Sequence, residues 1–371
     1  MIAFLLVFIY MALIIPAYAN AEELQQSETL SIQQAIERAQ ENNPALRLAE
    51  LETEKAQINR DDAADAVNWL PSEGVVTTAF DLVVNSWQQS EIGLTTAKRA
   101  EEAKKDEIAK DVISAYAAAV KNYNNLKSVE LTLKNTKDQQ LVRNIALNTG
   151  WMSSFDYDSS WNGTKQVEEG YRAAELAYEG SIADLRSLLG ESAGWTPVLT
   201  SEAIITEHPR KDLNIEIVSA SSESVLVWTM EALLDIEKSK ENWYIKGVSS
   251  EMKQINLDTA KLNYEDAKRT ARTMVEQMYY AIDTLEGQID MAELKYNEAM
   301  RQEELARLKY ELGMIPRISM VPGADNLESA VLAASQAKID LENMKLELVG
   351  LKAQYALLTG AEVYSWTDWI Q

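Results

Sequence analysis

Apolar residues recur every seven positions along one stretch of the chain, from Leu257 to Gly313. The nine members carry no charge and eight are apolar: Leu257, Tyr264, Ala271, Met278, Leu285, Ala292, Ala299, Ala306 and Gly313. A companion set lies three or four residues further on, so the stripe repeats about every 3.5 residues, as in a left-handed coiled coil. At about 1.5 Å per residue this helix would be roughly 85 Å long, so it needs an equally long partner.

The partner is predicted in the same chain. A second seam runs from Ala330 to Leu358, with spacings that alternate between four and three. The segment Met314–Asp325 lies between the two seams and contains two prolines and Gly323. Two long seams joined by such a break predict an antiparallel helical hairpin. The same periodicity also fits a long rod with no further activity.

The N-terminal half predicts a similar arrangement. A capping box at Ser31 and Gln34 opens a helix, which Pro44 should kink or restart. Long helices are predicted over about residues 94–149 and from the break after Gly150 to residue 190. The sequence therefore predicts a second antiparallel hairpin.

Residues 68–93 differ in composition from the helices around them. β-branched and aromatic residues cluster at Val75–Phe80 and Leu82–Val84, close to Pro71 and Gly74. Such residues favour strands, so short strands are predicted within residues 72–92. Neither piece shows the ten-residue alternation of a membrane-spanning β-strand.

The two halves of the chain share residues at one offset. The pairs separated by 163 positions include Leu94 and Leu257, Tyr116 and Tyr279, Leu131 and Leu294, and Gly150 and Gly313. A common offset predicts an internal duplication. We therefore divide the chain into a first hairpin repeat at 22–190, a linker at 191–221, a second hairpin repeat at 222–360 and a tail at 361–371.

The N-terminus has the pattern of a cleaved secretory signal. An apolar run, Met1–Ile15, precedes small residues at Ala17, Ala19 and Ala21 that fit a signal-peptidase site. We predict a signal peptide at 1–21 and export of the remaining chain. The pattern departs from a standard signal because no Lys or Arg precedes the apolar run, and a retained N-terminal anchor is the alternative.

Charge and composition narrow the function classes. The net charge of −23 argues against a nucleic-acid partner and against docking on anionic lipid. The absence of cysteine excludes disulfides, thiol catalysis and zinc–thiolate sites. The single histidine, His208, lies beside a proline in the linker and is interpreted as a solvated loop residue. We find no residue pattern that predicts an enzyme, a cofactor or a metal site.

Several segments, taken in order, resemble the TolC-like outer-membrane efflux proteins. The similar segments are Leu30–Ile36, Asn42–Pro44, Ala306–Ile315 and Leu357–Gly360. The resemblance spans roughly residues 30–360 and includes the duplication.

The resemblance implies an all-α-dominated fold of two tandem, long antiparallel coiled-coil hairpins. Three copies would form a helical barrel, with at most short β-strands at one end of each chain. It further implies that the hairpin tips meet a periplasmic adaptor protein of an inner-membrane pump, and that the chain resides at the outer membrane or in the periplasm. In this family a twelve-stranded β-barrel continues the tunnel through the outer membrane.

The resemblance also implies roles for residues at the two tips. The adaptor-docking tips would be Gly150, Trp151, Met152, Gly313, Met314 and Ile315. Aspartates near the tips line the constriction in the family, which makes Asp156 a candidate and, if the longer second break is allowed for, Asp325. The alternatives are that Asp156 caps a helix and that the apolar tip residues pack inside their own hairpins.

The chain departs from the family where a second pair of strands would lie. A shift of 163 maps residues 68–93 onto 231–256, which have a charged, helical pattern. Two short strands per copy would give six in a trimer, fewer than the smallest known closed membrane barrels. We therefore interpret the chain as a reduced member with a degenerate β-barrel, whose helical tunnel is better supported than its membrane pore.

Two functions remain open at this point. The first is a passive export conduit, a channel component of an envelope-spanning efflux or secretion complex. The second is a non-channel structural or adaptor-like coiled-coil protein of the cell envelope.

Overall fold

The computed structural model describes residues 28–68, 78–203, 212–240, 248–319, 324–364 and 369–370. The helices are α1 (Ile32–Asn42), α2 (Pro44–Asn68), α3 (Thr78–Asn148), α4 (Ser154–Leu189), α5 (Leu213–Glu223), α6 (Val225–Lys240), α7 (Ser250–Glu311) and α8 (Leu327–Thr359). The strands are β1 (Thr29–Leu30), β2 (Val198–Leu199), β3 (Glu202–Ala203) and β4 (Trp369–Ile370). The predicted signal peptide, residues 1–21, lies outside the described residues.

Two very long helices organise the fold. Helix α3 has 71 residues and α7 has 62, so they extend roughly 105 Å and 93 Å at about 1.5 Å per residue. Each packs against two shorter helices in succession: α3 against α2 and α4, and α7 against α6 and α8. Helix α3 also packs against α8. The order across the layer is therefore α4, α3, α8, α7, and the predicted pair of antiparallel hairpins is confirmed.

The predicted seam of α7 faces its partner α8. Val275, Ile282 and Ile289 are buried, and they cluster with Leu341 and Leu348 of α8. These residues recur at the period of a coiled coil, so one apolar face of each helix is removed from water along the hairpin. This burial, rather than intrinsic helix propensity, holds helices of such length together.

A second core lies at the middle of α3, where β1 and the start of α1 cross it. Tyr116 is fully buried there, and its hydroxyl donates to the carbonyl of Leu30 at 2.9 Å and accepts from the amide of Ser201 at 3.0 Å. Strand β1 pairs with β2 in parallel, and β3 pairs with β4 in antiparallel register. The short strands therefore join distant parts of the chain around the midpoint of α3.

The strand prediction for residues 72–92 is wrong wherever it can be compared with the structure, because α3 begins at Thr78 and not near Leu94. Residues 72–77 lie outside the described part. Phe80, Val84 and Trp87 are spaced by four and three, and each is partly buried. Helix α2 packs alongside α3, so packing of this helical face outweighs the β-propensity of the valines.

Two predicted boundaries also differ from the structure. The linker predicted at 191–221 contains β2, β3 and most of α5, which starts at Leu213 after an N-cap at Asp212. The tail predicted at 361–371 packs back on the fold: Val363 is fully buried and β4 pairs with β3. These segments are ordered by contacts with distant residues, which a local pattern does not reveal.

Candidate functional site

The two hairpin tips are built by the same turn. Gly150 and Gly313 follow the ends of α3 and α7 with backbone φ angles of +76° and +71°. The amide of the next residue, Trp151 or Met314, donates to the carbonyl five residues earlier at 2.8 Å in both tips. This is the Schellman motif, which needs a left-handed residue at the glycine position. Both turns lie where the sequence predicts the breaks that end the long helices.

Large apolar side chains project from both tips into solvent. Trp151 is 83% exposed and Met314 is 68% exposed, whereas Met152 and Ile315 are half-buried. Two further residues, Phe155 and Leu312, are 80% and 75% exposed and were missed as site residues in the sequence. Leu312 directly precedes Gly313, and Phe155 is the second residue of α4. Their closeness in sequence to the tip glycines was the signal that could have identified them. Exposed apolar groups of this size at one end of a molecule are typical of a contact surface.

Asp156 takes part in capping α4. The backbone amide of Asp156 donates to the Ser153 hydroxyl at 3.1 Å, and that hydroxyl lies 2.7 Å from a carboxylate oxygen of Asp156. A negative charge in the first turn also interacts favourably with the helix dipole. Ser153 is therefore the N-cap of α4, and Asp156 lies at the third helical position with its side chain exposed to solvent.

Asp325 lies in the longer second tip. A carboxylate oxygen of Asp325 is 3.4 Å from the Lys309 ammonium, and the Asp325 side chain is 76% exposed.

In the same tip, the Arg317 guanidinium donates to Glu328 at 2.7 Å. The hydrogen bond to Glu328, and the more distant charge of Asp138 on α3, raise the pKa of Arg317. Because Asp138 lies near the end of α3, the two tips are at the same end of the fold.

Helix α7 forms one edge of the layer and has a second apolar face. We call this face the outer seam; it comprises Ile255, Leu262, Tyr280, Met291, Leu294, Leu305 and Leu308, all exposed. Their spacings fit the helical period and place them roughly opposite the seam that faces α8. A helix with two apolar faces is suited to packing between two other helices.

Helix α4 forms the opposite edge and has a face of small residues. Gly170, Ala173, Ala177 and Gly180 are spaced by three and four and are exposed. A Cβ atom built on either glycine meets no other atom within 4 Å. Glycine in a helix interior costs about 0.5–1 kcal/mol relative to alanine. Because no atom in the described part of this chain approaches either glycine, no contact there offsets that cost. We call this face the small-residue face.

Two further properties concern only the part of the chain that the structure describes. No group of three or more His, Asp or Glu side chains there is arranged to hold a metal ion. No single described helix has both the length and the apolar composition of a membrane span, and the only combination that does is α5 with α6, which are bent by 66° relative to each other.

The fold is similar to several solved structures. No protein-family profile matches the chain, and no curated protein matches it in sequence. The outer membrane channel CmeC of Campylobacter jejuni superposes with a TM-score of 0.62 at 13% identity, covering 89% of this chain and 85% of that one. The outer membrane protein VceC of Vibrio cholerae gives 0.62 at 14% identity, with coverage of 89% and 96%. The outer membrane channel MtrE of Neisseria gonorrhoeae, in its open state, gives 0.54 at 15% identity, with coverage of 90% and 89%.

The fold of the chain is therefore that of the TolC-like outer-membrane efflux channels, as the sequence resemblance predicted. Identities of this size establish the shared fold and do not by themselves transfer a residue's role.

Proposed function

We propose that copies of this chain assemble side by side into a closed ring of helices, which serves as a passive conduit in an export complex of the cell envelope. The observation that carries this proposal is the outer seam of α7. This apolar stripe runs along a 62-residue helix, and its side chains remain exposed within the described residues of the chain. Burial of such a stripe is favourable by about 25 cal/mol for each Å² of apolar surface.

The small-residue face of α4 is the surface that suits the outer seam. Large side chains such as Leu294 would enter the space left by Gly170 and Gly180, as knobs enter holes in a coiled coil. Close approach of a second helix would also compensate for the cost of glycine within α4. Helix α4 runs from the tip and α7 runs toward it, so the contact would be antiparallel.

Such an interface joins two different edges of the chain. A heterologous contact of this kind closes into a ring when the rotation between copies allows it. The resemblance implies three copies, and we adopt a homotrimer as the proposed state. The channels CmeC and MtrE have the same fold, which supports a conduit.

The tips are the proposed docking site for a periplasmic adaptor protein. Trp151 and Met314 supply exposed apolar surface, and Gly150 and Gly313 set the turns that present them. Phe155 and Leu312 extend the same surface. We further propose that Asp156 and Asp325, which are exposed near the tips, bear on passage through the conduit, with an inner-membrane pump beyond the adaptor.

Location and ancestry complete the proposal. We place the chain, after removal of residues 1–21, at the outer membrane or in the periplasm. We also infer that the two halves arose by duplication. This is supported by the matched tip turns and by the paired helices α1 and α5, which both have 11 residues and both precede an immediate second helix.

A structural or adaptor-like rod is the second candidate function. It accounts for the hairpins but requires neither the outer seam nor the small-residue face. An enzymatic function receives no support from the arrangement of side chains described above.

Cysteine cross-linking tests the interface directly, because the chain contains no cysteine of its own. With Ala173→Cys on α4 and Leu294→Cys on α7, mild oxidation should give covalent dimers and trimers. The matched control combines Ala173→Cys with Glu293→Cys, whose side chain lies toward Lys345 of α8 at 3.6 Å. Equal cross-linking of the two pairs, or none with the first pair, would contradict the proposal.

A further inference from the structure

A groove on the flank of the fold combines an apolar floor with a cationic rim. It lies between α5, α6 and α7 and has a volume of about 810 Å³. Ile217, Val218 and Leu234 supply the apolar floor. The cationic groups on its lining are Lys238, Lys261, Lys268, Arg269 and Arg272, and Glu265 is the one acidic residue among the lining residues. The volume falls within the range of about 300–1,000 Å³ that is usual for small-molecule sites.

The lining has five cationic side chains and one acidic side chain, although the chain as a whole has a net charge of −23. Most of the cations pair within their own helices: Lys238 with Asp235 at 2.9 Å, Lys261 with Asp258 at 3.9 Å, and Arg272 with Glu276 at 2.7 Å. Side chains in these pairs are largely exposed, and pairs of that kind contribute about 0–1 kcal/mol each. A ligand anion can therefore take over the cations at little cost.

Tyr264 adds a fixed element to the rim. The Lys268 ammonium lies 5.2 Å from the centre of the Tyr264 ring, within the range of a cation–π contact. The Tyr264 hydroxyl in turn donates to a carboxylate oxygen of Glu231 on α6 at 3.3 Å. The positive end of Lys268 is thus held beside the groove.

The groove borders the proposed assembly interface, because Arg269 on its lining lies seven residues from Leu262 of the outer seam, on the same helix face. Lys261, Glu265, Lys268 and Arg272 are spaced by four, three and four, so they form a stripe of their own on α7. This stripe contains none of the outer-seam residues. A head group bound on this stripe therefore leaves the side chains of the outer seam uncovered.

We propose that this groove binds a monomeric anionic amphiphile, a molecule with one negatively charged head group and one apolar chain. The head group contacts Lys268, while Lys261 and Arg272, two turns and one turn away along α7, add longer-range attraction. The apolar chain lies along Val218 and Ile217. Opposite charges attract the head group, while burial of the chain removes apolar surface from water on both sides. Arg272 is the lining residue of α7 nearest the tip and precedes Gly313 by 41 residues, so the site is distinct from the tips.

Isothermal titration of the full-length chain with dodecanoate, below its critical micelle concentration, tests the site. The triple variant Lys261→Gln, Lys268→Gln, Arg272→Gln should bind dodecanoate at least tenfold more weakly than the unaltered chain. Val218→Asp, which places a negative charge at the exposed edge of the floor, should weaken binding to a similar extent. The matched control is Lys295→Gln, Arg301→Gln, Lys309→Gln, which removes the same charge further along α7 and should bind normally.

Two other ligands define the chemistry. The uncharged alcohol 1-decanol should bind at least tenfold more weakly than dodecanoate if the head group matters. Equal binding by the alcohol, equal loss in the control variant, or undiminished binding by the first triple variant would overturn the proposal. So would binding to vesicles of phosphatidylglycerol without binding of free dodecanoate, because that result would assign the cations to a membrane surface.

Discussion

Gly360 lies so close to Glu223 that a Cβ atom added to the glycine would be 2.2 Å from Cγ and 2.8 Å from Cβ of the glutamate. Gly360 ends α8 with a φ of +71°, and Glu223 is the last residue of α5. Gly190 occupies the corresponding place at the end of α4, where an added Cβ would be 3.1 Å from Cβ of Asn42, the last residue of α1. The same junction, helix end against helix end, thus occurs once in each half.

Replacement of Gly360 by alanine should lower the free energy of unfolding by about 2–4 kcal/mol. The left-handed conformation costs a non-glycine residue about 1–2 kcal/mol, and the clash with the Glu223 side chain adds to it. Gly190→Ala is the matched variant, with the same φ sign but a looser contact, and should cost about 1–2 kcal/mol. Chemical denaturation of both variants measures the difference; an equal loss would show that the close approach to Glu223 has no energetic consequence.

Tyr116→Phe should destabilise the chain by about 1–3 kcal/mol. The substitution removes the hydroxyl that accepts from the Ser201 amide at 3.0 Å, and a buried donor left without a partner costs about that amount. Tyr123→Phe on the same helix is the control, because Tyr123 is exposed and should tolerate the change. If both variants unfold at the same denaturant concentration, the hydroxyl of Tyr116 does not hold β1 and the linker on α3.

Glu28→Gln should cost less than about 1 kcal/mol at pH 7, and the cost should disappear toward pH 2. Hydrogen bonds from Arg38 and from the Trp195 indole at 3.0 Å lower the pKa of Glu28 from its ordinary value of 4.5 to about 2. A carboxyl group with a lowered pKa stabilises the fold above its unfolded pKa, and this contribution is lost as the pH falls from about 4.5 to 2. Exposure of the pair keeps the effect small. A difference between variant and unaltered chain that persists at pH 2 would contradict this assignment.

Removal of the exposed apolar groups at the tips should abolish adaptor binding without affecting stability. Trp151→Ser with Met314→Ser should eliminate co-purification of the adaptor, while the thermal midpoint stays within about 2 °C of that of the unaltered chain. The reason is that both side chains are mostly exposed, so the fold loses little by their truncation. A loss of several kcal/mol would instead identify them as core residues, since such losses follow truncation of buried apolar side chains.

The helical hairpins could be predicted from the sequence because their signal is local. Val275, Ile282 and Ile289 recur at a fixed spacing, and a fixed spacing specifies a helix face whatever the rest of the chain does. The turn glycines were equally accessible, since Gly150 and Gly313 interrupt otherwise continuous helical patterns.

The remaining features depend on residues far apart in the chain. Thr29–Leu30 pairs with Val198–Leu199, and two-residue strands of this length leave no periodic signal. Phe80 and Val84 have high β-propensity, yet they are helical because α2 supplies a neighbouring helix to pack on. The cationic groove was not foreseen either, because its residues come from three helices and carry charges that look solvated on each helix alone.

The native mass of the full chain tests the assembly of the outer seam most directly. Measured at micromolar concentration, the unaltered chain should have the mass of three copies, and Leu294→Glu with Leu308→Glu should have the mass of one. Leu141→Glu with Ile145→Glu is the matched control on α3, where two equally exposed apolar residues receive the same charges away from the proposed interface. This control should stay trimeric. A single-copy mass for the unaltered chain, in buffer and in detergent alike, or a trimer that survives the two outer-seam substitutions, would contradict the proposed conduit.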